Sequence, residues 1–200
     1  HVHPFISTMA NMLIIFGLVT YATKGVSFGA IDPAIPNIFI PKAGRFPMII
    51  LWAIIAVVVV WFIWNKTTFG KNLYAVGGNP EAATVSGISV FKVTMGAFIM
   101  AGILYGFGSW LECLRMVGSG SAAYGQGWDM DAIAACVVGG VSFTGGIGKI
   151  SGVVTGVLIF TSLTYSLTIL GIDTNLQFIF EGIIILAAVT LDCLKYVQKK

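Results

Sequence analysis

Long apolar runs separated by short polar stretches set the pattern of this chain. A helix that crosses the hydrocarbon core of a bilayer needs about 20 predominantly apolar residues, and four of the runs are long enough to do so outright. The runs cover residues 5–22, 46–64, 91–111, 131–148, 150–170 and 176–194. This pattern predicts an all-α integral membrane protein with about six transmembrane or re-entrant helices.

Segment 131–148 is shorter than its neighbours and rich in glycine. Two glycine pairs, Gly139-Gly140 and Gly145-Gly146, bracket a short polar stretch within it. Small residues of this kind allow a helix to break where its backbone meets a cavity or another subunit. The segment therefore either spans the bilayer or enters it and returns.

The composition identifies lipid as the solvent of this chain. Hydrophobic residues make up 57% of it and charged residues only 10%, with a mean hydropathy of +0.94, whereas soluble domains carry about 25% charged residues. The net charge of +3 is spread between the apolar runs, so no basic stripe predicts binding to nucleic acid. The three cysteines lie far apart and form no CxxC pair, so neither a metal site nor a disulfide framework is predicted.

A polar island at residues 65–90 contains the signals of a short helix. Asn79 suits the N-cap, Pro80 the first helical position and Glu81 the first turn, while Gly87 suits the C-terminal end. A capped helix of about two turns between membrane spans indicates a surface that another protein contacts.

Glycines at intervals of four form two stripes. Gly148, Gly152 and Gly156 make one, and Gly102 and Gly106 make the other. Glycine at this spacing exposes bare backbone on one helical face and lets a second helix approach closely. Close helix packing is the favoured interpretation, and it is compatible with the lining of a transport path.

The polar island resembles the cytoplasmic coupling loop of permease subunits in bacterial ABC sugar importers, most closely the ribose and galactoside branch. In that family a run similar to 131–148, with its leading Asp131 and two glycine pairs, follows the coupling loop at about this distance. The resemblance covers essentially the whole chain and corresponds to the later part of a longer permease. The forms of residues 79–83 and 191–196 are most similar to galactose/methyl-galactoside permeases.

The resemblance implies ATP-driven import of a monosaccharide by alternating access. The implied partners are two cytoplasmic ABC ATPase subunits, a periplasmic sugar-binding protein and a second permease copy, and the implied location is multi-pass in the bacterial inner (plasma) membrane. Residues 1–200 would be a partial transmembrane permease domain, with loop 65–90 on the cytoplasmic side. Glu81, Ala82 and Ala83 would form the face that docks in a groove of the ATPase. The sugar itself is not specified.

Two sets of candidate residues follow. Those expected to contact the ATPase lie in the coupling loop: Gly77, Gly78, Asn79, Pro80, Glu81, Ala82, Ala83, Ser86 and Gly87. Those expected to pack helices or line the transport path are Gly102, Gly106, Asp131, Gly139, Gly140, Gly145, Gly146, Gly148, Gly152 and Gly156.

The chain shows no nucleotide site and no catalytic group of its own. Gly148-Lys149 superficially resembles a phosphate-binding loop, but Phe143 and Ile150 stand where glycine and serine or threonine are required. No paired carboxylates or Ser-His-Asp order mark a reaction centre. We therefore expect neither a cofactor nor enzymatic activity in this chain, with ATP hydrolysed by a partner subunit.

The distribution of lysine and arginine favours a cytoplasmic loop 65–90. With six spans, that orientation puts seven of the eleven basic residues on the cytoplasmic side, as the positive-inside rule predicts. Lys149 is among the seven, while the loop at 112–130 lies outside.

The alternative function is an ion-coupled secondary transporter or a passive channel. Coupling to an ion gradient requires an ionisable group within the membrane, and Glu181 is the only candidate.

Overall fold

A computed structural model describes residues 4–27, 29, 32, 34–43, 46–117, 120–142 and 144–197. Helices account for most of these residues, which confirms the predicted all-α class. They are α1 (Pro4–Thr23), α2 (Ala34–Phe39), α3 (Ile49–Lys66), α4 (Thr68–Gly78), α5 (Pro80–Val85), α6 (Val90–Arg115), α7 (Trp128–Val138), α8 (Ile150–Ile169) and α9 (Thr174–Val197). Between α2 and α3 two short strands, β1 (Lys42–Ala43) and β2 (Phe46–Pro47), pair antiparallel with Lys42 opposite Pro47.

Four helices of the described residues are long and apolar enough to cross a membrane. Their apolar stretches are Ile6–Thr23, Ile49–Lys66, Val90–Arg115 and Ile150–Ile169. Helix α3 buries none of its residues, and Leu51, Ile54 and Val58 on it are each about half exposed. Lipid tails are as apolar as these side chains and can cover them in a bilayer.

Helix α7 is too short to cross a bilayer alone. Its 11 residues rise about 16 Å, about half of the hydrocarbon thickness of ~30 Å. Among the described residues from Gly139 to Lys149 none is helical, and α8 begins at Ile150. Segment 131–148 is therefore not one continuous helix, because the glycine pairs end it after its first eight residues.

The chain divides into two compact units. The first comprises residues 1–53 and 102–126. In it the rings of Phe39 and Trp110 meet edge to face with centroids 5.1 Å apart, and Trp52 lies 5.9 Å from Phe107. Trp52 Nε1 also donates a hydrogen bond of 3.0 Å to the Phe39 carbonyl. This bond attaches α2 to the start of α3, and the ring contacts attach both of them to α6.

A small polar cluster lies in the same unit. Arg115 forms an ion pair with Glu112, and the Tyr124 hydroxyl donates a hydrogen bond of 2.6 Å to Glu112 Oε1. This bond to the carboxylate raises the pKa of the Tyr124 hydroxyl. The cluster holds the loop after α6 against the last turn of that helix.

The second unit comprises residues 54–101 and 127–200. Its small core is built on α7, where Ala134 is fully buried and Ala135 is 4% exposed, together with Phe160 of α8 at 5%. Gln177 at the start of α9 is also buried, and its Nε2 donates a hydrogen bond of 3.1 Å to the Ile172 carbonyl. The unit also contains α4 and α5, which carry the candidate coupling residues.

Candidate functional site

Helix α5 has the capping chemistry that its sequence predicts. The Asn79 side chain accepts hydrogen bonds of 3.0 Å from the backbone N–H groups of Glu81 and Ala82, and Pro80 occupies the first helical position. At the other end Gly87 has a φ of +80°, the left-handed conformation that glycine adopts after helices. Helix α5 is thus closed at both ends by local interactions.

The exposure of α5 corrects one part of the predicted docking face. Glu81 and Ala82 are exposed, and Val85 is 90% exposed. Ala83 is only 4% exposed, so its side chain does not belong to the surface available to a partner. The reason is helical periodicity, since consecutive residues point in directions about 100° apart.

Helix α4 is a feature that the sequence did not reveal. Thr67 caps it by accepting a hydrogen bond of 3.3 Å from the Gly70 N–H. A Cβ on Gly70 would overlap the Trp64 backbone, which shows how closely α4 folds against the end of α3. The Asn79 N–H donates a bond of 3.1 Å to the Ala75 carbonyl. Asn79 therefore caps both α4 and α5.

The structure brings the two distinctive sequence runs into contact. The Tyr74 hydroxyl of α4 donates a hydrogen bond of 2.7 Å to the Gly148 carbonyl. A Cβ on Gly77 would lie 2.7 Å from the Gly146 nitrogen, and a Cβ on Gly146 would lie 2.7 Å from the Gly78 Cα. We refer to the touching pairs, Gly77-Gly78 and Gly145-Gly146, as the glycine contact.

The segment between α7 and α8, which contacts α4, contains its own hydrogen bonds. The Ser142 N–H donates to the Ile147 carbonyl over 3.0 Å, and the hydroxyls of buried Ser142 and exposed Thr144 lie 2.8 Å apart. Gly145 and Gly146 have φ values of +93° and +69°, which residues other than glycine rarely adopt. Phe143 lies outside the described residues. The described part of this segment thus forms a compact turn between α7 and α8.

Glycines also form the crossing of α7 and α8. A Cβ on Gly152 would overlap the Gly139 carbonyl oxygen, and one on Gly156 would overlap the Ala135 carbonyl oxygen. The structure therefore places Gly139, Gly152 and Gly156 together where two backbones meet.

The remaining candidates are not gathered at this crossing. Gly102 and Gly106 on α6 have nothing within 4 Å of a built Cβ, and neither does Gly140. Gly148 would meet Val141 at 3.3 Å. Asp131 lies in the first turn of α7, near the positive end of the helix dipole. That these five residues line a transport path stays a prediction.

Two further residues join α4 to α6. A Cβ on Gly96 would lie 2.7 Å from Cε2 of Phe69, so the ring occupies the space above this glycine. Sequence reasoning missed Phe69 and Gly96, and also Tyr74. For Phe69 and Tyr74 the only signal was an aromatic side chain inside a polar island, and Gly96 had none.

The structure offers no metal site within its described residues, which contain no group of three or more His, Cys, Asp or Glu side chains placed to hold an ion. Glu181 lies in α9, but its side chain is outside the described part of the chain.

Comparison with known proteins identifies relatives that match this chain along its whole length. The family model described as "Branched-chain amino acid transport system / permease component" matches residues 1–189. The galactose/methyl galactoside import permease protein MglC of Treponema pallidum is 56% identical over 100% of this chain and 39% of its own length. The protein of the same name from Escherichia coli is 45% identical over 100% of this chain and 61% of its own.

A more distant relative is the ribose import permease protein RbsC of Bacillus subtilis, 36% identical over 94% of this chain and 59% of its own length. The chain thus spans between about two-fifths and three-fifths of these relatives. No solved structure matches it.

Proposed function

Since the chain belongs to the permease component family, we propose that it forms part of the membrane channel of an ATP-driven ABC importer for a monosaccharide. The observation that carries the proposal is the 56% identity, over the whole chain, to a galactose/methyl galactoside import permease. Galactose or a methyl galactoside is the proposed substrate. The predicted location, multi-pass in a bacterial plasma membrane, is confirmed by the family together with the four membrane-length apolar helices among the described residues.

The proposed partners follow from the same family. Two cytoplasmic ABC ATPase subunits would bind α5 and supply the energy of ATP hydrolysis, because this chain itself has no nucleotide-binding motif. A periplasmic sugar-binding protein would deliver the sugar to the outer face, and a second permease copy would complete the channel.

The mechanism that we propose is alternating access. ATP-driven closure of the ATPase subunits would move α5, and α5 would tilt the attached helices α3 and α6. A partner shifts a conformational equilibrium only by its differential affinity for the two states, and a change from 1:99 to 99:1 requires about 5.5 kcal/mol. The double cap at Asn79 supports this mechanism, since it joins α4 and α5 through side-chain and backbone hydrogen bonds.

Uptake by whole cells tests the proposal. The complete permease would be expressed with its ATPase and binding protein in cells lacking other galactoside importers, and radiolabelled methyl galactoside and ribose would be supplied. We expect methyl galactoside uptake that disappears when the ATPase is inactivated. Uptake that continues without ATPase activity and collapses with the ion gradient would instead support the secondary-transporter alternative.

A further inference from the structure

We infer that the glycine contact, with the Tyr74–Gly148 hydrogen bond beside it, transmits the movement of the coupling helix α5 to helices α7 and α8. The inference rests on the proposed function, because it assumes that an ATPase moves α5. It adds a route that does not run along the chain, since Tyr74 and Gly148 are 74 residues apart in sequence. Tyr74 and Gly77 are thereby assigned as positioning residues for transport.

The first step of the route is the junction between α5 and α4. Only Asn79 separates the two helices, and it bonds to both of them. Its side-chain oxygen accepts hydrogen bonds from the N–H groups of Glu81 and Ala82, and its own N–H donates a hydrogen bond of 3.1 Å to the Ala75 carbonyl. A displacement of α5 therefore carries the end of α4 with it.

The second step is the contact between backbones. At the glycine contact no side chain lies between α4 and the turn, and a single added Cβ on Gly77 would come within 2.7 Å of the Gly146 nitrogen. Side chains can absorb a small displacement by changing rotamer, whereas close-packed backbone transmits it because packed interfaces deform little. The contact thus passes on small movements of α4.

The third step links the turn to the two helices. Residues 139–149 connect the end of α7 to the beginning of α8, and the Ser142–Ile147 hydrogen bond of 3.0 Å closes the turn between them. Gly139, at the start of this segment, also lies against Gly152 of α8. A shift of the turn therefore acts on the crossing of α7 and α8, beside which lies Ala134, the most buried hydrophobic residue among those described.

Two helical glycines provide a matched test. Gly77 lies in the last turn of α4 and Gly108 in α6, and neither has a positive φ. A Cβ on Gly77 meets the Gly146 backbone, whereas one on Gly108 has nothing within 4 Å. Gly77→Ala and Gly108→Ala therefore make the same chemical change with and without a collision.

The two variants would be built into the complete permease and reconstituted with its ATPase and binding protein. The measured quantity is methyl galactoside imported per ATP hydrolysed. For Gly77→Ala we expect this ratio to fall by about tenfold, within the usual range of coupling between sites, while the ATPase still co-purifies. For Gly108→Ala we expect the ratio to stay within about twofold of the parent. A parental ratio in Gly77→Ala would overturn the inference.

Tyr74→Phe is the second test and applies even where Gly77→Ala accumulates poorly. It removes only the hydroxyl that bonds to the Gly148 carbonyl, and we expect about a fivefold fall in the same ratio at parental abundance. An unchanged ratio would overturn the inference. The parent protein separates the two proposals: if it imports methyl galactoside without any ATPase, the proposed function fails, whereas an ATP-dependent parent with fully coupled variants refutes only the transmission route.

Discussion

At the scale of single residues, Asn79 carries the most local structure. It terminates α4 through its backbone N–H and starts α5 through its side chain. Removing a side-chain N-cap typically costs about 0.5–2 kcal/mol. Its loss would allow α5 to open without disturbing the membrane helices.

We therefore expect Asn79→Ala to accelerate hydrogen exchange at the amides of Glu81 and Ala82. A cap energy of about 1 kcal/mol corresponds to about a fivefold larger open population. Exchange would be measured by mass spectrometry on the permease in lipid nanodiscs. Asn79→Asp keeps an acceptor oxygen and should remain close to the parent. Equal exchange in Asn79→Ala and the parent would show that the caps do not stabilise α5.

A second residue-scale prediction concerns the charge of Glu81, which is exposed in the first turn of α5. Its interaction with the helix dipole is worth only about 0.3–1 kcal/mol, too little to disturb a permease held in the membrane. We expect Glu81→Lys to reach the membrane in normal amounts but to lose sugar uptake, because the reversed charge would face the ATPase. Uptake at the parental rate would remove Glu81 from the proposed contact.

At the scale of elements, α5 presents two faces with different roles. Ala82 and Ala83 are adjacent and chemically identical, yet Ala82 is exposed and Ala83 is buried. Tryptophan at the exposed position would block a partner, whereas tryptophan at the buried position would overpack the permease itself, which typically costs about 1–3 kcal/mol.

We expect Ala82→Trp to accumulate normally while losing ATPase binding, and Ala83→Trp to accumulate poorly. Immunoblots of membranes and co-purification of the ATPase would measure the two effects. Normal ATPase binding by Ala82→Trp would mean that this face of α5 does not dock as proposed.

The crossing of α7 and α8 gives another prediction at this scale. Because a Cβ on Gly152 would overlap the Gly139 carbonyl oxygen, Gly152→Leu should force the helices apart and lower the amount of folded protein by about fivefold or more. Gly102→Leu is the matched control, since nothing lies within 4 Å of its Cβ. Fluorescence-detected size-exclusion chromatography would compare the two. Equal abundance would show that the crossing tolerates bulk.

At the scale of the whole molecule, the structure links the orientation of two distant segments. The Tyr74–Gly148 bond of 2.7 Å places the residues just before Lys149 beside α4. If loop 65–90 is cytoplasmic, Lys149 is cytoplasmic too, which is the side that the distribution of basic residues favours.

Thiol labelling tests this arrangement. In a background without native cysteines, Thr84→Cys and Lys149→Cys, both at exposed positions, should resist an impermeant reagent applied to intact cells and react after the cells are opened. Ala123→Cys in the loop at 112–130 should react from outside. Ready labelling of Thr84→Cys in intact cells would reverse the topology, and opposite behaviour of Thr84→Cys and Lys149→Cys would contradict the contact between α4 and the turn.

The sequence by itself determined the class of this protein, its membrane-length helices and the caps of α5. These features depend on interactions within a few residues. The length of an apolar run decides whether a helix can cross a bilayer. The Asn79 side chain bonds backbone N–H groups two and three positions away, and the Gly87 N–H bonds the carbonyl three positions before it. The family relationship was also readable from the sequence. Two distinctive runs occur in order along the chain, and they can be recognised without knowing that they touch in the structure.

Only the tertiary structure decided how these pieces meet. Helix α4 contains Gly70, Gly77 and Gly78, and glycine disfavours a helix by about 1 kcal/mol per residue, so local preference argued against it. Gly70 and Gly77 lie where another backbone approaches too closely for a Cβ. That requirement comes from the position of the neighbouring segment and cannot be read from α4 alone. For the same reason the contact with Gly145-Gly146 became visible only once distant segments were placed side by side.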